Sequence, residues 1–181
     1  AGLVPLLELP LYGKVVCMRT FRPMGAEKDL LFLFTDRCRF CLLSYDDVRG
    51  EVVTVAGGNL EDKVGHPSDA GQLCAIEPSL SLIALHCYDG LLKIVPMANG
   101  GQSLSQAFNL RLEEVCVLDI AFDAALSTGD GPPVLAVLYK DAHEARHLKT
   151  YQVHASVGAK KELRPGPYQQ AGLDAFASLL I

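Results

Sequence analysis

Apolar residues in this chain come in short runs divided by Gly, Pro, Asp and Asn, and few runs show the i, i+3, i+4 spacing of a helix. Three runs, LLFLFT at 30–35, SLIALHCY at 81–88 and PVLAVLYK at 133–140, are apolar on consecutive positions. A strand of that kind has no face to give to water and is predicted to lie buried on both sides. Other segments, EVVTV at 51–55 and SQAFNLRL at 105–112, carry more polar positions and suit an outer rim. The pattern predicts an all-β chain.

The runs repeat. VVCMRTF (15–21), LLFLFT (30–35), RFCLLSY (39–45) and EVVTV (51–55) make one unit. QLCAIEP (72–78), SLIALHCY (81–88), LLKIVPM (91–97) and SQAFNLRL (105–112) make a second. VCVLDIAF (115–122), PVLAVLYK (133–140), HLKTYQVH (147–154) and a more polar segment near 160–168 make a third. LDAFASLLI (173–181) reads as the first strand of a further unit. Each unit is four strands with a hairpin between the second and third, at Asp36-Arg37 and Asp89-Gly90 in the first two. Asp-Gly between two strands predicts a type I′ turn, with positive φ at both central residues.

The third strands align at Leu42, Leu91 and Leu148, a period of roughly fifty residues, which is that of β-propeller blades. The fold expected is part of a β-propeller, about three four-stranded blades (15–55, 72–112 and 115–168) plus the start of another. A closed propeller has about four to eight blades, so the segment is expected to belong to a longer chain. Its first residue is Ala and not Met, in keeping with that. A β-sandwich or barrel of the same short strands is the competing architecture. With no tryptophan in the chain, a Trp-Asp repeat lineage is not indicated.

Charge and composition narrow the classes. The 181 residues are half hydrophobic and one fifth charged, with net charge −5 and pI near 5.5. The densest basic spot is Lys160-Lys161, and the basic stripe that phosphate neutralisation demands is absent. Direct nucleic-acid contact by this segment is therefore not expected. No apolar run is long enough to cross a bilayer as a helix, and the opening AGLVPLLELPL lacks a basic n-region. The six cysteines lie mostly in apolar runs and are expected to be small buried hydrophobes of an intracellular protein.

Two motifs could carry chemistry. Cys38 and Cys41 form a C-x-x-C at a strand start, where positions i and i+3 face opposite sides; core packing is the expected role. Cys17, Cys74, Cys87 and Cys116 stand isolated. HEARH at 143–147 spells a zinc-peptidase motif, which needs a helix to bring His143 and His147 to one face and Glu144 to the metal-bound water. Between two strand-like runs it reads as a hairpin loop. His66, His86 and His154 are expected as surface or packing residues, and the pairs Asp46-Asp47 and Glu113-Glu114 as solvated carboxylates. GDGPPV at 129–134 lacks the third glycine of a dinucleotide fingerprint and runs into prolines. No catalytic residue, metal or cofactor is expected.

Several segments together carry a resemblance: LYGKVVCMRTFRP (11–23), KDLLFLFTDRCRFCLLSYD (28–46), KVGHPSDAG (63–71), YDGLLKIVP (88–96), AFNLRLEE (107–114) and HLKTYQV (147–153). In order and spacing they resemble the N-terminal propeller of the large subunits of UV-damaged DNA-binding protein. That family also includes the large subunits of the cleavage–polyadenylation factor and of a splicing complex. The resemblance implies a seven-bladed propeller and a non-catalytic scaffold. It implies a cullin-RING ubiquitin ligase adaptor that links substrate-receptor proteins to the cullin in DNA repair and protein turnover. Cytoplasm and nucleus are the expected location, from the cysteine usage and the missing signal peptide, with no membrane or small-molecule substrate expected. The alternative is the propeller of an RNA-processing factor that binds nucleic acid or protein. No partner-contacting residue can be carried over to a position here. The chain departs from the pattern in its extra alanines and cysteines and in Gly-Pro-Tyr at 166–168, where relatives often carry Gly-Pro-Trp.

Overall fold

The computed structural model describes residues 4–5, 7–63, 65–126, 131–155 and 160–180; among them there is no helix, and the strands form three antiparallel sheets. The first contains β1 (Val15–Phe21), β2 (Leu30–Thr35), β3 (Arg39–Asp46) and β4 (Glu51–Asn59) in that spatial order. The second starts with β5 (Leu73–Ile76), β6 (Leu82–Tyr88) and β7 (Leu91–Ala98). Its outer position is shared by β8 (Ser103–Leu104) and β9 (Phe108–Arg111), both paired with β7. The third contains β10 (Cys116–Phe122), β11 (Val134–Lys140), β12 (Arg146–His154) and β13 (Glu162–Leu173).

Each sheet is a meander, every strand pairing with its neighbour in sequence except β9, which returns to β7. Two apolar clusters separate the sheets. Phe32, Phe34 and Leu42 of the first sheet meet Ile83, Leu85 and Val95 of the second. Ala84, Leu92 and Ile94 on the opposite face of the second sheet meet Leu135, Val137 and Tyr151 of the third. Every residue from Leu82 to Tyr88 is buried because β6 is pressed from both sides. This is why that run carries no polar alternation. Each large apolar side chain so buried contributes about 1.5–3 kcal/mol. No residue of β4 is buried; all are half-buried or exposed, as in an outer strand.

Four details differ from the sequence expectation. Only Gly90 of the Asp89-Gly90 turn has positive φ, at 71°, so the turn is not type I′. The pairing shifts register between His86 and Tyr88, and the bulge absorbs the twist that a type I′ turn would have supplied. The outer strand of the second sheet is split, since Ser105 donates its N–H to Pro96 O at 2.8 Å and residues 105–107 leave the ladder. β13 runs on to Leu173, past the expected 168. The stretch 174–180, expected as a strand, forms none. Asp174 Oδ1 accepts the Phe176 N–H at 2.8 Å and turns the chain. The Arg146 guanidinium then takes the Ala177 carbonyl, and Asp119 Oδ2 accepts the Leu180 N–H at 2.7 Å. Side chains of the third sheet thus bind the backbone that a strand would have given to a ladder.

Candidate interaction face

The meander order sends the turns after β2, β6 and β11, and the loops after β4 and β9, to one end of the sheets. The loop at 60–72, which contains KVGHPSDAG, joins the first sheet to the second there. Its backbone is tied down at several points: Leu60 N–H to Cys38 O at 2.8 Å, Ser68 N–H to Cys87 O at 3.1 Å, and the Asp89 N–H to His66 O at 2.9 Å. Pro67 and Tyr88 form an isolated β-bridge. Gly65 lies against the Tyr88 ring, where an added Cβ would come within 2.6 Å of Cδ1. The glycine therefore lets the loop close onto the ring. The Tyr88 hydroxyl accepts the Asp62 N–H at 2.8 Å, while burial pushes its own pKa up to about 12. Beside this loop is a cleft of about 490 Å3, lined by Arg37, Cys38, Arg39, Glu61, Gln72 and Tyr88 among others.

Two ionic clusters sit at corresponding places on this face. At the first seam, Lys93 of β7 is 7% exposed; its Nζ donates to Asn109 Oδ1 at 3.0 Å and lies 3.6 Å from Asp62 Oδ2. The same ammonium stands 5.7 Å from the Tyr88 ring centroid, a cation–π contact. At the second seam, Lys149 of β12 donates to Glu114 Oε1 at 3.0 Å and is 3.5 Å from Glu113 Oε2. The Tyr151 hydroxyl lies 2.8 Å from both Glu114 oxygens. Burial would lower Lys149, but its bonds to Tyr151 and Glu114 outweigh that and hold the amine charged well above the ordinary range. Burial raises the Tyr151 hydroxyl, which stays protonated as a donor. In both clusters a lysine on a third strand meets an acid on an incoming loop. Each cluster fixes where the loop leaves the sheet and gives the lysine an acid close by.

The motifs fall as follows. HEARH lies in the β11–β12 hairpin. Asp141 Oδ1 accepts the N–H groups of His143 and Ala145 at 2.8 and 3.0 Å, and Asp141 Oδ2 lies 2.9 Å from His147 Nε2. Glu144, at φ 64°, pairs with Lys140. The letters build a turn, with His147 and Glu144 each engaged by a different neighbour. Cys38 is not at the start of a strand as expected. It occupies the turn before β3 with φ 53°, its N–H donating to Thr35 O at 3.0 Å, and it points into the core beside Cys87. Cys41 remains within β3, half-buried. The two are separated by this turn and not by strand alternation.

Cys17 and Cys74, expected as isolated thiols, are joined as a disulfide between β1 and β5, with Cα atoms 6.4 Å apart. These are the first strands of adjacent sheets, which sequence spacing could not bring together without the sheet packing. Glu114 is 7% exposed and held by Tyr151 and Lys149, so it is not the solvated acid expected. Glu113 and Asp47 are largely exposed. Asp46 Oδ1 accepts from Val48 and Arg49 N–H at 2.9 and 3.2 Å and shapes the β3–β4 turn. His66 is exposed, whereas His86 is fully buried. The first two residues of GDGPPV, 129 and 130, lie outside the described residues. Among the described residues no three His, Cys, Asp or Glu side chains gather to hold a metal ion.

The family described as RSE1/DDB1/CPSF1 first beta-propeller matches the chain over residues 1–181. The chain belongs to this family. It is similar to DNA damage-binding protein 1 of Solanum lycopersicum, 47% identical over 180 residues, and to DNA damage-binding protein 1a of Arabidopsis thaliana, 46% identical over 180 residues. DNA damage-binding protein 1 of Oryza sativa subsp. japonica is 44% identical over the same length. Each comparison covers 99% of this chain but 16% of the relative, so the chain spans about a sixth of the curated relatives it matches. The three sheets are blades of a first-propeller domain, and the two apolar clusters are its blade–blade seams.

Proposed function

We propose that this segment is a non-catalytic scaffold within a cullin-RING ubiquitin ligase adaptor, working in DNA repair and protein turnover in the nucleus and cytoplasm. The observation that carries the reading is a 44–47% identity to DNA damage-binding proteins along 99% of the chain, on a fold of packed blades. The blades supply rigidity, because each seam is a continuous apolar cluster, and the loop face supplies a surface on which a substrate receptor docks. DNA contact would come through partners, since the net charge is −5 and the basic residues form no continuous stripe.

Affinity purification of the full-length protein tests this directly. Co-purification of a cullin together with propeller-type receptors is the expected result. Recovery of neither, from cells in which the protein is abundant, overturns it. The family description also spans RNA-processing factors. Crosslinking of the full-length protein to pre-mRNA, without cullin recovery, would move it to that branch.

A further inference from the structure

Four of the six cysteines line the seam between the first two blades. Cys17 and Cys74 are bonded, and Cys38 and Cys87 are free in the same apolar cluster. The two blades belong to separate sheets with no shared ladder. At their inner edges, β1 and β5 are therefore held by side-chain packing and by this one covalent bond. Cys17 and Cys74 are 7% and 4% exposed. Their bond closes a loop of sequence separation 57, which contains the whole remainder of the first blade and the 60–72 loop of the interaction face.

We infer that Cys17 and Cys74 form a thiol–disulfide site that staples the first blade to the second, and that its oxidising substrate is a small disulfide of the glutathione class. In the forward step the thiolate of one cysteine attacks a sulfur of the small disulfide. A protein–small-molecule mixed disulfide forms, and one small thiolate leaves. The thiolate of the second cysteine then attacks the protein sulfur of that mixed disulfide. The Cys17–Cys74 bond forms, and the second small thiolate leaves. The protein gives up two thiol protons and two electrons; the small disulfide takes up both and becomes two thiols. Reduction is the same sequence reversed.

Burial decides when the pair reacts. Exchange needs a thiolate in contact with the reagent. Both cysteines of the staple are almost closed off, so exchange passes through separation of β1 from β5, and the packed seam protects the bond once formed. Burial pushes the Cys87 thiol well up, and the neighbouring Cys38 adds to this.

The test uses the full-length protein, equilibrated across ratios of reduced to oxidised glutathione and then differentially alkylated for peptide mass mapping. The expected result is that Cys17 and Cys74 convert together, as one linked peptide pair, while Cys38 and Cys87 stay alkylatable throughout. Hydrogen exchange of the β1 and β5 amides should slow about tenfold or more on oxidation. That change should vanish in Cys17→Val and in Cys74→Val, which keep an apolar side chain in the seam. Two outcomes overturn the inference. In one, Cys17 and Cys74 remain separately alkylatable even in excess oxidised glutathione. In the other, β1 and β5 of the unaltered protein exchange equally fast in both redox states. Neither measurement on the unaltered protein depends on a variant folding.

Discussion

The hydroxyl of Thr150 donates to the Tyr168 carbonyl at 2.8 Å and accepts the Tyr168 N–H at 2.9 Å, so one side chain replaces a full ladder step. On β12, Lys149 pairs with Gln169 and Tyr151 with Pro165, which leaves Thr150 alone opposite residues 166–168 of β13. Gly-Pro-Tyr bows out around that hydroxyl. Gly166 stands so close that an added Cβ would lie 2.5 Å from Thr150 Oγ1 and 2.7 Å from its carbonyl carbon. The departure from Gly-Pro-Trp noted in the sequence thus falls on the third residue of the bow and leaves the glycine in place.

Thr150 is 4% exposed. Replacing it by Val keeps the shape but orphans two backbone groups of Tyr168, at a cost of about 1–3 kcal/mol. Denaturant unfolding of T150V in the full-length protein should show this loss, and hydrogen exchange should place it in β13. Gly166→Ala should destabilise the same strand through contact with backbone, which cannot swing aside. If exchange in β13 is unchanged in both variants, the bow is not held by Thr150.

His86 is fully buried, and neither ring nitrogen has a protein partner. Burial holds its pKa below the ordinary 6.5, and Asp89 offsets this only in part. The folded state therefore binds fewer protons than the unfolded state below that value. Stability should be level above about pH 6.5 and fall as pH drops below it, by at most about 1.4 kcal/mol per pH unit. Chemical denaturation of the unaltered protein and of His86→Leu between pH 7.5 and 5 checks the sign. The variant should lose less stability on acidification. A parallel decline in the two proteins would remove His86 from the account.

How much of this was legible beforehand depends on the range of the interaction. The meanders, the seams and the both-sides burial of β6 follow from local apolar runs and their spacing, which the sequence displays directly. Reading HEARH as a hairpin needed only its flanking strands. The Cys17–Cys74 bond and the Glu114–Tyr151–Lys149 cluster were hidden for a different reason. Their members lie on different strands or loops, 57 and 35–37 residues apart, and meet only after the sheets pack. Cys38 was misplaced because a positive φ removes it from strand alternation; the Asp36-Arg37 turn just before it marked that the chain could bend there, but not that the turn would take in Cys38. The Asp89-Gly90 turn carried the right dipeptide, but a bulge took over half its task.

Gly90 sits at φ 71° in that turn, and Leu112 donates its N–H to the Gly90 carbonyl at 3.0 Å. Gly90→Val should cost about 1–3 kcal/mol through backbone strain, since a β-branched residue rarely adopts this region. A thermal melt of the full-length variant reads the effect. An unchanged midpoint for the first-propeller transition would show that the turn relaxes freely.

Glu114, Lys149 and Tyr151 form a coupled set, and coupling is measurable. Lys149→Met should cost about 3–5 kcal/mol, because it strands a buried carboxylate. The same change combined with Glu114→Gln should cost less than the two singles added together, since each then removes the other's unpaired charge. A double-mutant cycle by urea unfolding gives the interaction energy. Strict additivity would mean that the cluster is solvated in solution.

The meander also sets an order in time. A ribosome making about 5–20 residues per second delivers Cys74 several seconds after Cys17, whereas a hairpin closes in about 1–10 μs. The first blade therefore has ample opportunity to form while the partner of Cys17 is still unmade. Within that blade, β2 lies between β1 and β3 and pairs with both. This sets Cys17 and Cys41 two strand spacings apart, about 10 Å, beyond the reach of a disulfide. The nascent sheet thus keeps Cys41 from capturing Cys17 prematurely, and holds Cys17 at the edge where the next blade will arrive.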